Sequence, residues 1–180
     1  MNSYQIIDSP LGDILLRAQD GLLTGVFFAG QKYYPAQARA VAPESVADAR
    51  VMAQAADELE AYFDGRLHDF TVPIRIAGSD FQQRIWQALC DIGFGETSTY
   101  GQLAAGIGLP PSHSRAVGGA VGRNPLSIVV PCHRIVGASG DLTGYAGGVD
   151  RKRALLRLEG ALPAGNLPNA IAGQAALALN

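Results

Sequence analysis

The chain holds only two cysteines in 180 residues, Cys90 and Cys132, and no Cys-x-x-Cys pair. With three histidines besides, there is too little material for a structural zinc site, and no metal or cofactor is expected. A disulfide framework is not expected either, because such scaffolds are short and dense in cysteine. No apolar run approaches the ~20 residues that would span a bilayer. The N-terminal region has no basic stretch followed by a long apolar one, so no signal peptide is expected. Charged residues are sparse at 17% against 48% hydrophobic, enough apolar material for a substantial core and one or two small domains. These absences imply a cytoplasmic protein with free thiols and no membrane association.

The net charge of −2 argues against a nucleic-acid protein until its distribution is read. Residues 1–100 hold 7 Lys+Arg and 13 Asp+Glu, a balance of −6. Residues 101–157 hold 7 Lys+Arg and 2 Asp+Glu, a balance of +5. A basic second half points to a polyanionic partner. Chance clustering of a few charges is the plain alternative.

Residues 4–28 read as a β-meander. Strand-like runs at Leu11–Leu16 and Leu22–Phe28 flank the turn Gln19-Asp20-Gly21, and Ser9-Pro10-Leu11-Gly12 sets off the first strand. Residues 29–43 read as a loop. A helix is predicted over 44–63, with Val46, Met52, Ala55, Leu59, Tyr62 and Phe63 near one face and Gly65 as its stop. An extended run to Ile76 leads to a linker at Ala77-Gly78.

A second block opens with Ser79-Asp80-Phe81-Gln82, a capping box. Phe81, Ile85, Trp86 and Leu89 follow as an apolar stripe, with Cys90 read as core beside it. Short helices over 100–107 and from Ser112 to Val121 or Gly122 surround Gly108-Leu109-Pro110-Pro111, a candidate helix-turn-helix. The second of these is made of small residues: Ala116, Gly118, Gly119, Ala120 and Gly122. Each interior glycine costs a helix about 1 kcal/mol against alanine. A small surface offsets that cost if it admits close approach, either by a DNA groove or by a packed neighbour. Asp150 is expected to cap a last helix with Leu155, Leu156 and Leu158 inward and Arg151, Lys152, Arg153 and Arg157 largely outward. Glu159 closes it and Gly160 stops it. The predicted division is an N-terminal α+β domain over 1–78 with a small antiparallel sheet, and a mainly helical C-terminal domain over 79–160. An uncharged, loosely ordered tail over 161–180 follows; the class is α/β.

The densest chemistry lies in Val130-Pro131-Cys132-His133-Arg134-Ile135. A thiol adjoins an imidazole inside an apolar run. Thiolate is the nucleophile, and burial alone raises the thiol pKa, so such a site needs a base or another partner to ionise the sulfur.

Seven stretches together resemble the O6-alkylguanine-DNA alkyltransferases, also called methylated-DNA–protein-cysteine methyltransferases. They are Asp80-Phe81-Gln82-Gln83-Arg84-Ile85-Trp86, Gly95-Glu96-Thr97 with Tyr100-Gly101, Ser114-Arg115-Ala116-Val117-Gly118-Gly119-Ala120, Arg123-Asn124-Pro125, Ile128 through Arg134, Gly144-Tyr145-Ala146-Gly147-Gly148, and Leu158-Glu159-Gly160. The resemblance covers residues 80–160. It implies irreversible, single-use transfer of an alkyl group from guanine O6, and from thymine O4, to Cys132. His133 would deprotonate the thiol through a water, and Glu159 would orient the His. Double-stranded DNA carrying O6-alkylguanine would be bound through its minor groove by the second helix of the helix-turn-helix, with Ala116, Gly118 and Gly119 at the groove. The nucleotide must leave the duplex. Arg115 would fill its place, and Tyr100 would press on the target phosphate and donate to the purine. Asn124 would be the hinge. Tyr100, Ile135, Tyr145, Ala146 and Gly147 would line the lesion pocket. A monomer in solution is expected, with cooperativity on DNA left open.

The chain departs from some members of that family. Ala146 stands where some carry a serine, and the zinc ligands of some N-terminal domains are missing. A related group of non-repairing binders has tryptophan in place of the nucleophile, and Cys132 sets this chain apart from it. Two other classes stand beside this reading. A DNA-binding regulator would have no reason to react with benzylguanine, and a cysteine hydrolase would turn over.

Overall fold

The computed structural model describes residues 1–35 and 43–163. The loop expected over 29–43 lies partly outside them, and the expected loose tail lies outside them beyond residue 163.

Strands β1 (Ser3–Ile7), β2 (Ile14–Gln19) and β3 (Leu22–Phe28) form one antiparallel sheet in the order β1-β2-β3. Gly12 at φ 98° closes the first turn, its N–H on the Ser9 carbonyl at 3.0 Å. Asp20 and Gly21 both take positive φ, 55° and 74°, as a two-residue hairpin turn matching the strand twist requires. Helix α1 (Val46–Phe63) packs on this sheet through Val51, Met52, Ala55, Leu59 and Tyr62. Ser45 caps it by accepting from Asp48 N–H at 3.0 Å. Val46, expected on the inward face, is 72% exposed. The inward slot of the first turn goes to Asp48, whose carboxylate accepts from the Ser3 hydroxyl and the Gly21 N–H, both at 2.8 Å.

Strand β3 also receives two extended segments. Near its start, Leu23 pairs with residues 73–75: its N–H donates to Pro73 at 2.9 Å, and Arg75 N–H donates to Leu23 at 2.9 Å. Further along, Val26 N–H donates to Pro125 at 2.9 Å and Ser127 N–H to Val26 at 3.1 Å. The segment leading to Cys132 is thus laid against the first sheet.

The rest of the chain is mainly helical: α2 (Asp80–Cys90), α3 (Tyr100–Gly106), α4 (Ser114–Val121) and α5 (Val149–Leu158), with β4 (Ser98–Thr99) paired in parallel to β5 (Ile135–Val136). The capping box at Ser79 and Gln82 is formed, and Thr99 with Gln102 makes another. Helices α3 and α4, joined through a 3-10 turn at Pro111–His113, pack on each other and on α2. Trp86 Nε1 donates to the Ala120 carbonyl at 2.9 Å and ties α2 to α4. One hydrophobic cluster runs through both parts of the chain, from Ile14 and Leu59 to Val117 and Leu155.

Three further expectations are corrected. Cys90 is exposed, because the buried stripe of α2 is Ile85, Trp86 and Leu89 and Cys90 lies one helical step beyond it. Asp150 does not cap α5. Gly148, at φ 91°, is the N-cap, and Asp150 sits in the first turn, where its charge still suits the helix dipole. Lys152 does not point outward but is fully buried.

Candidate active site

Cys132 opens a short 3-10 turn, Cys132–Arg134, between the segment on β3 and strand β5. Its N–H donates to the Val130 carbonyl at 2.8 Å, and Arg134 N–H donates to Pro131 at 3.0 Å. Just upstream, Ile128 sits at φ 72°, a left-handed conformation that a β-branched side chain rarely adopts. Such strain persists only where surrounding contacts over-determine it. Here they do: Asn124, from the loop after α4, donates through Nδ2 to Val130 O at 2.7 Å and to Cys132 Sγ at 3.1 Å, and its Oδ1 accepts from Leu126 N–H at 3.0 Å.

The thiol is 5% exposed. Burial pushes its pKa up; the Asn124 hydrogen bond and the Lys152 ammonium work against that. His133, fully buried, has its pKa pushed down by burial despite Glu159. At rest the pair is therefore thiol and neutral imidazole, and the proton moves when the thiol is called on to react. His133 Nε2 lies 2.7 Å from Glu159 Oε1. That bond fixes the tautomer, because a carboxylate only accepts. Nε2 carries the hydrogen, and Nδ1 is the basic nitrogen, buried and with no hydrogen-bond partner among the described residues.

Glu159, the residue that ends α5, is held from several sides. Arg134 donates Nε to Oε2 at 2.9 Å and Nη2 to Oε1 at 3.1 Å, while its Nη1 donates to the Ile92 carbonyl. The Gly95 N–H reaches Oε2 at 3.4 Å, and Gly95 at φ 79° leaves no room for a Cβ, which would stand 2.8 Å from the Glu159 carbonyl. The Tyr62 hydroxyl donates to Oε1 at 2.7 Å from α1. Burial favours the protonated carboxyl, but these donors win, led by His133, and hold its pKa at about 2.

Above the thiol is a cavity of about 410 Å³. Cys132, Tyr100, Gly118, Gly119, Tyr145 and Ala146 line it, six of the thirteen residues assigned from sequence. Ile135 and Gly147 do not line it. Ile135 is turned into the core as part of β5. Gly147 is buried behind the wall, where a Cβ would meet the Tyr145 ring at 2.6 Å and Phe28 at 3.1 Å. Gly118 lets the Tyr100 ring approach to within 3.5 Å of where a Cβ would stand. On α4, Arg115, Ala116 and Gly119 are exposed while Val117, Ala120 and Val121 are buried, so one face of small residues with a single cation looks outward.

Sequence reading missed Lys32, Tyr33 and Arg123 at the cavity mouth, where both cations lie over the Tyr33 ring at 5.1 and 5.5 Å. It also missed Lys152. Its Nζ donates to the Thr143 carbonyl at 3.1 Å, and burial brings its pKa down to about 8. Tyr100 Oη donates to the same carbonyl at 3.2 Å. Tyr62 was placed on the inward face of α1, but nothing in the local sequence pairs it with Glu159.

The arrangement is a buried sulfur nucleophile at the floor of a closed-in pocket, with a base and its orienting carboxylate behind it and a phenol above. Comparison with known proteins agrees with that chemistry. The sequence profile described as 6-O-methylguanine DNA methyltransferase, DNA binding domain, matches residues 80–161. That described as 6-O-methylguanine DNA methyltransferase, ribonuclease-like domain, matches residues 2–76. The chain is 47% identical over 159 residues to the methylated-DNA–protein-cysteine methyltransferase of Mycobacterium tuberculosis, covering 88% of this chain and 93% of that one. It is 46% identical to the protein of the same name from Methanosarcina acetivorans, covering 87% and 97%. The solved structure of Mycobacterium tuberculosis OGT in complex with DNA is similar at TM-score 0.80 and 46% identity, covering 88% of this chain and 93% of that chain.

Proposed function

The chain belongs to the 6-O-methylguanine DNA methyltransferase family, and from that premise we propose that Cys132 is the acceptor of the alkyl group. The protein repairs DNA by moving an alkyl group from the damaged base to one of its own cysteines. Cys132 carries the assignment by a single observation: it is the thiol at the floor of the cavity, bonded to Asn124 and next to the His133–Glu159 pair, whereas Cys90 is exposed.

The step balances simply. The Cys132 S–C bond forms in line as the C–O6 bond of guanine breaks, and the bonding pair stays on the purine. The thiol proton goes to His133 Nδ1, the buried ring nitrogen that Glu159 leaves free, by way of a water. Glu159 stabilises the imidazolium that results. Tyr100 donates its O–H to the departing purine, and the proton taken up by His133 returns through solvent to the phenol, so that repaired guanine leaves neutral. The thioether is stable, so each molecule acts once. Thymine O4 adducts fit the same step.

A base in a duplex cannot reach a buried sulfur, so the nucleotide is flipped into the cavity. The exposed face of α4 supports minor-groove docking: Ala116 and Gly119 keep it low, and Arg115 is exposed on it, free to enter the vacated place in the stack. Phosphate contacts fall to the basic second half of the chain. Asn124 links that helix to the acceptor turn. We further propose a cytoplasmic monomer of two domains, 1–78 and 79–160.

Intact-mass measurement after incubation with O6-methylguanine DNA tests the assignment. One added methyl located on Cys132 is the expected result. A methyl on the Cys132→Ala protein overturns it.

A further inference from the structure

We propose that Tyr62, on the last turn of α1, is a positioning residue of the alkyl-transfer site, holding Glu159 against His133 through its hydroxyl. This rests on the reading of Cys132 as acceptor and His133 as its base. It makes the first 78 residues a working part of the chemistry and not only a support.

The geometry is specific. Tyr62 is fully buried, and its Oη lies 2.7 Å from Glu159 Oε1, the same oxygen that faces His133 Nε2 at 2.7 Å. A buried phenol needs an acceptor somewhere, and a satisfied core tyrosine is the plain alternative. Here, however, the acceptor oxygen is the one that orients the base. Two short bonds on one oxygen, with Arg134 spanning both oxygens, fix the rotation of the carboxylate. The Tyr62 ring cannot swing aside, because Phe63, Phe70 and Phe94 pack on it with centroids 5.5, 5.5 and 6.1 Å away.

The electrostatic consequence has a sign. A hydroxyl donating into Oε1 draws charge from it and makes Glu159 a weaker acceptor for the His133 N–H. Removing that donor strengthens the pull of Glu159 on His133, which then holds a second proton more tightly. The charged or titratable groups facing this cluster are Glu159 and Lys152 from α5, Arg134 from the acceptor turn, and Tyr145 from the cavity loop. Tyr62→Phe changes none of their charges, so a shift in the titration of His133 belongs to the lost hydroxyl.

The experiment follows Cys132 labelling by free benzylguanine across pH, which leaves DNA binding out of the measurement. For Tyr62→Phe the acid limb should move to higher pH by roughly half a unit to one unit. The plateau rate should fall roughly three- to tenfold, the scale of one ordinary hydrogen bond. Replacing Tyr62 with 3-fluorotyrosine, a stronger donor of nearly the same size, should move the acid limb to lower pH. That second variant keeps the ring packing and serves if Tyr62→Phe folds poorly. A limb unmoved in both variants, with only the melting temperature lowered, overturns the proposal. If the wild-type protein is not labelled on Cys132 at all, the underlying reading fails instead, and the two failures are told apart in one series.

Discussion

Residues 1–78 and 79–160 are built on different plans. The first holds the regular elements, a three-stranded sheet and the 18-residue α1, and carries most of the acid. The second has no element longer than the 11 residues of α2, and its key groups sit in short turns and loops. Cys132 lies in a three-residue turn, Asn124 in the loop after α4, and Tyr145 and Ala146 in an irregular stretch. Binding and reacting residues gather on irregular backbone because a rigid scaffold elsewhere holds it in place. Here the scaffold touches the site directly, through β3 against residues 125–127 and through Tyr62 on Glu159. The difference teaches that regularity and reactivity are divided along the chain while the core and the hydrogen bonds are shared.

Four further measurements sharpen or break that division. The largest effect is expected for Cys132→Ala in the second region: transfer should vanish while affinity for undamaged duplex changes little, as mass spectrometry and a binding titration would report. Next comes Arg115→Ala. Flipping costs a few kcal/mol that a free base avoids, so repair of duplex should slow by at least about tenfold more than reaction with benzylguanine. Equal losses on both substrates, with a lower melting temperature, would reduce Arg115 to a helix-holding role.

In the first region, Asp48→Asn should lose about 1.5–3 kcal/mol of stability, because its carboxylate bonds Gly21 and Ser3. Benzylguanine labelling well below the melting temperature should stay unchanged. A large rate loss there would break the comparison, since Asp48 is not among the residues that line the cavity. The last effect is shared by both regions, builds up gradually and appears only in acid. The carboxyl of Glu159, at about 2, lies below its ordinary 4.5, so its contribution is fully present above 4.5 and is lost as pH falls toward 2. His133, with its pKa pushed down, adds the same sign, since its protonation works against the fold. A melting temperature that rises on acidification below pH 4.5 would contradict the role given to the Glu159 cluster.

Much of this was legible in sequence for local reasons. The capping box at Ser79 and the hairpin at Asp20-Gly21 are set by residues a few positions apart. The Cys132-His133 pair is a motif of adjacent residues, whereas the roles of Asn124 and Glu159 followed from the family resemblance and not from any local pattern. The Tyr62–Glu159 bond joins positions 97 residues apart, and no local pattern encodes it. Lys152 was legible in part. Lys152, Leu155, Leu156 and Glu159 recur at helical spacing on one buried face, and charge alone argued for solvent. Its long stem can be buried because Thr143 offers a carbonyl to the ammonium. Cys90 shows the reverse error, where an apolar residue beside a stripe was counted into it.

The depth of Cys132 has a consequence for the lifetime of the molecule. A protein consumed by its own reaction cannot spare its thiol to stray oxidants or reactive metabolites. At 5% exposure and with its pKa raised by burial, Cys132 is protonated and screened until a base is delivered into the cavity. Seclusion of the acceptor thus acts as a preservative, keeping a single-use reagent unspent between rare encounters with damage.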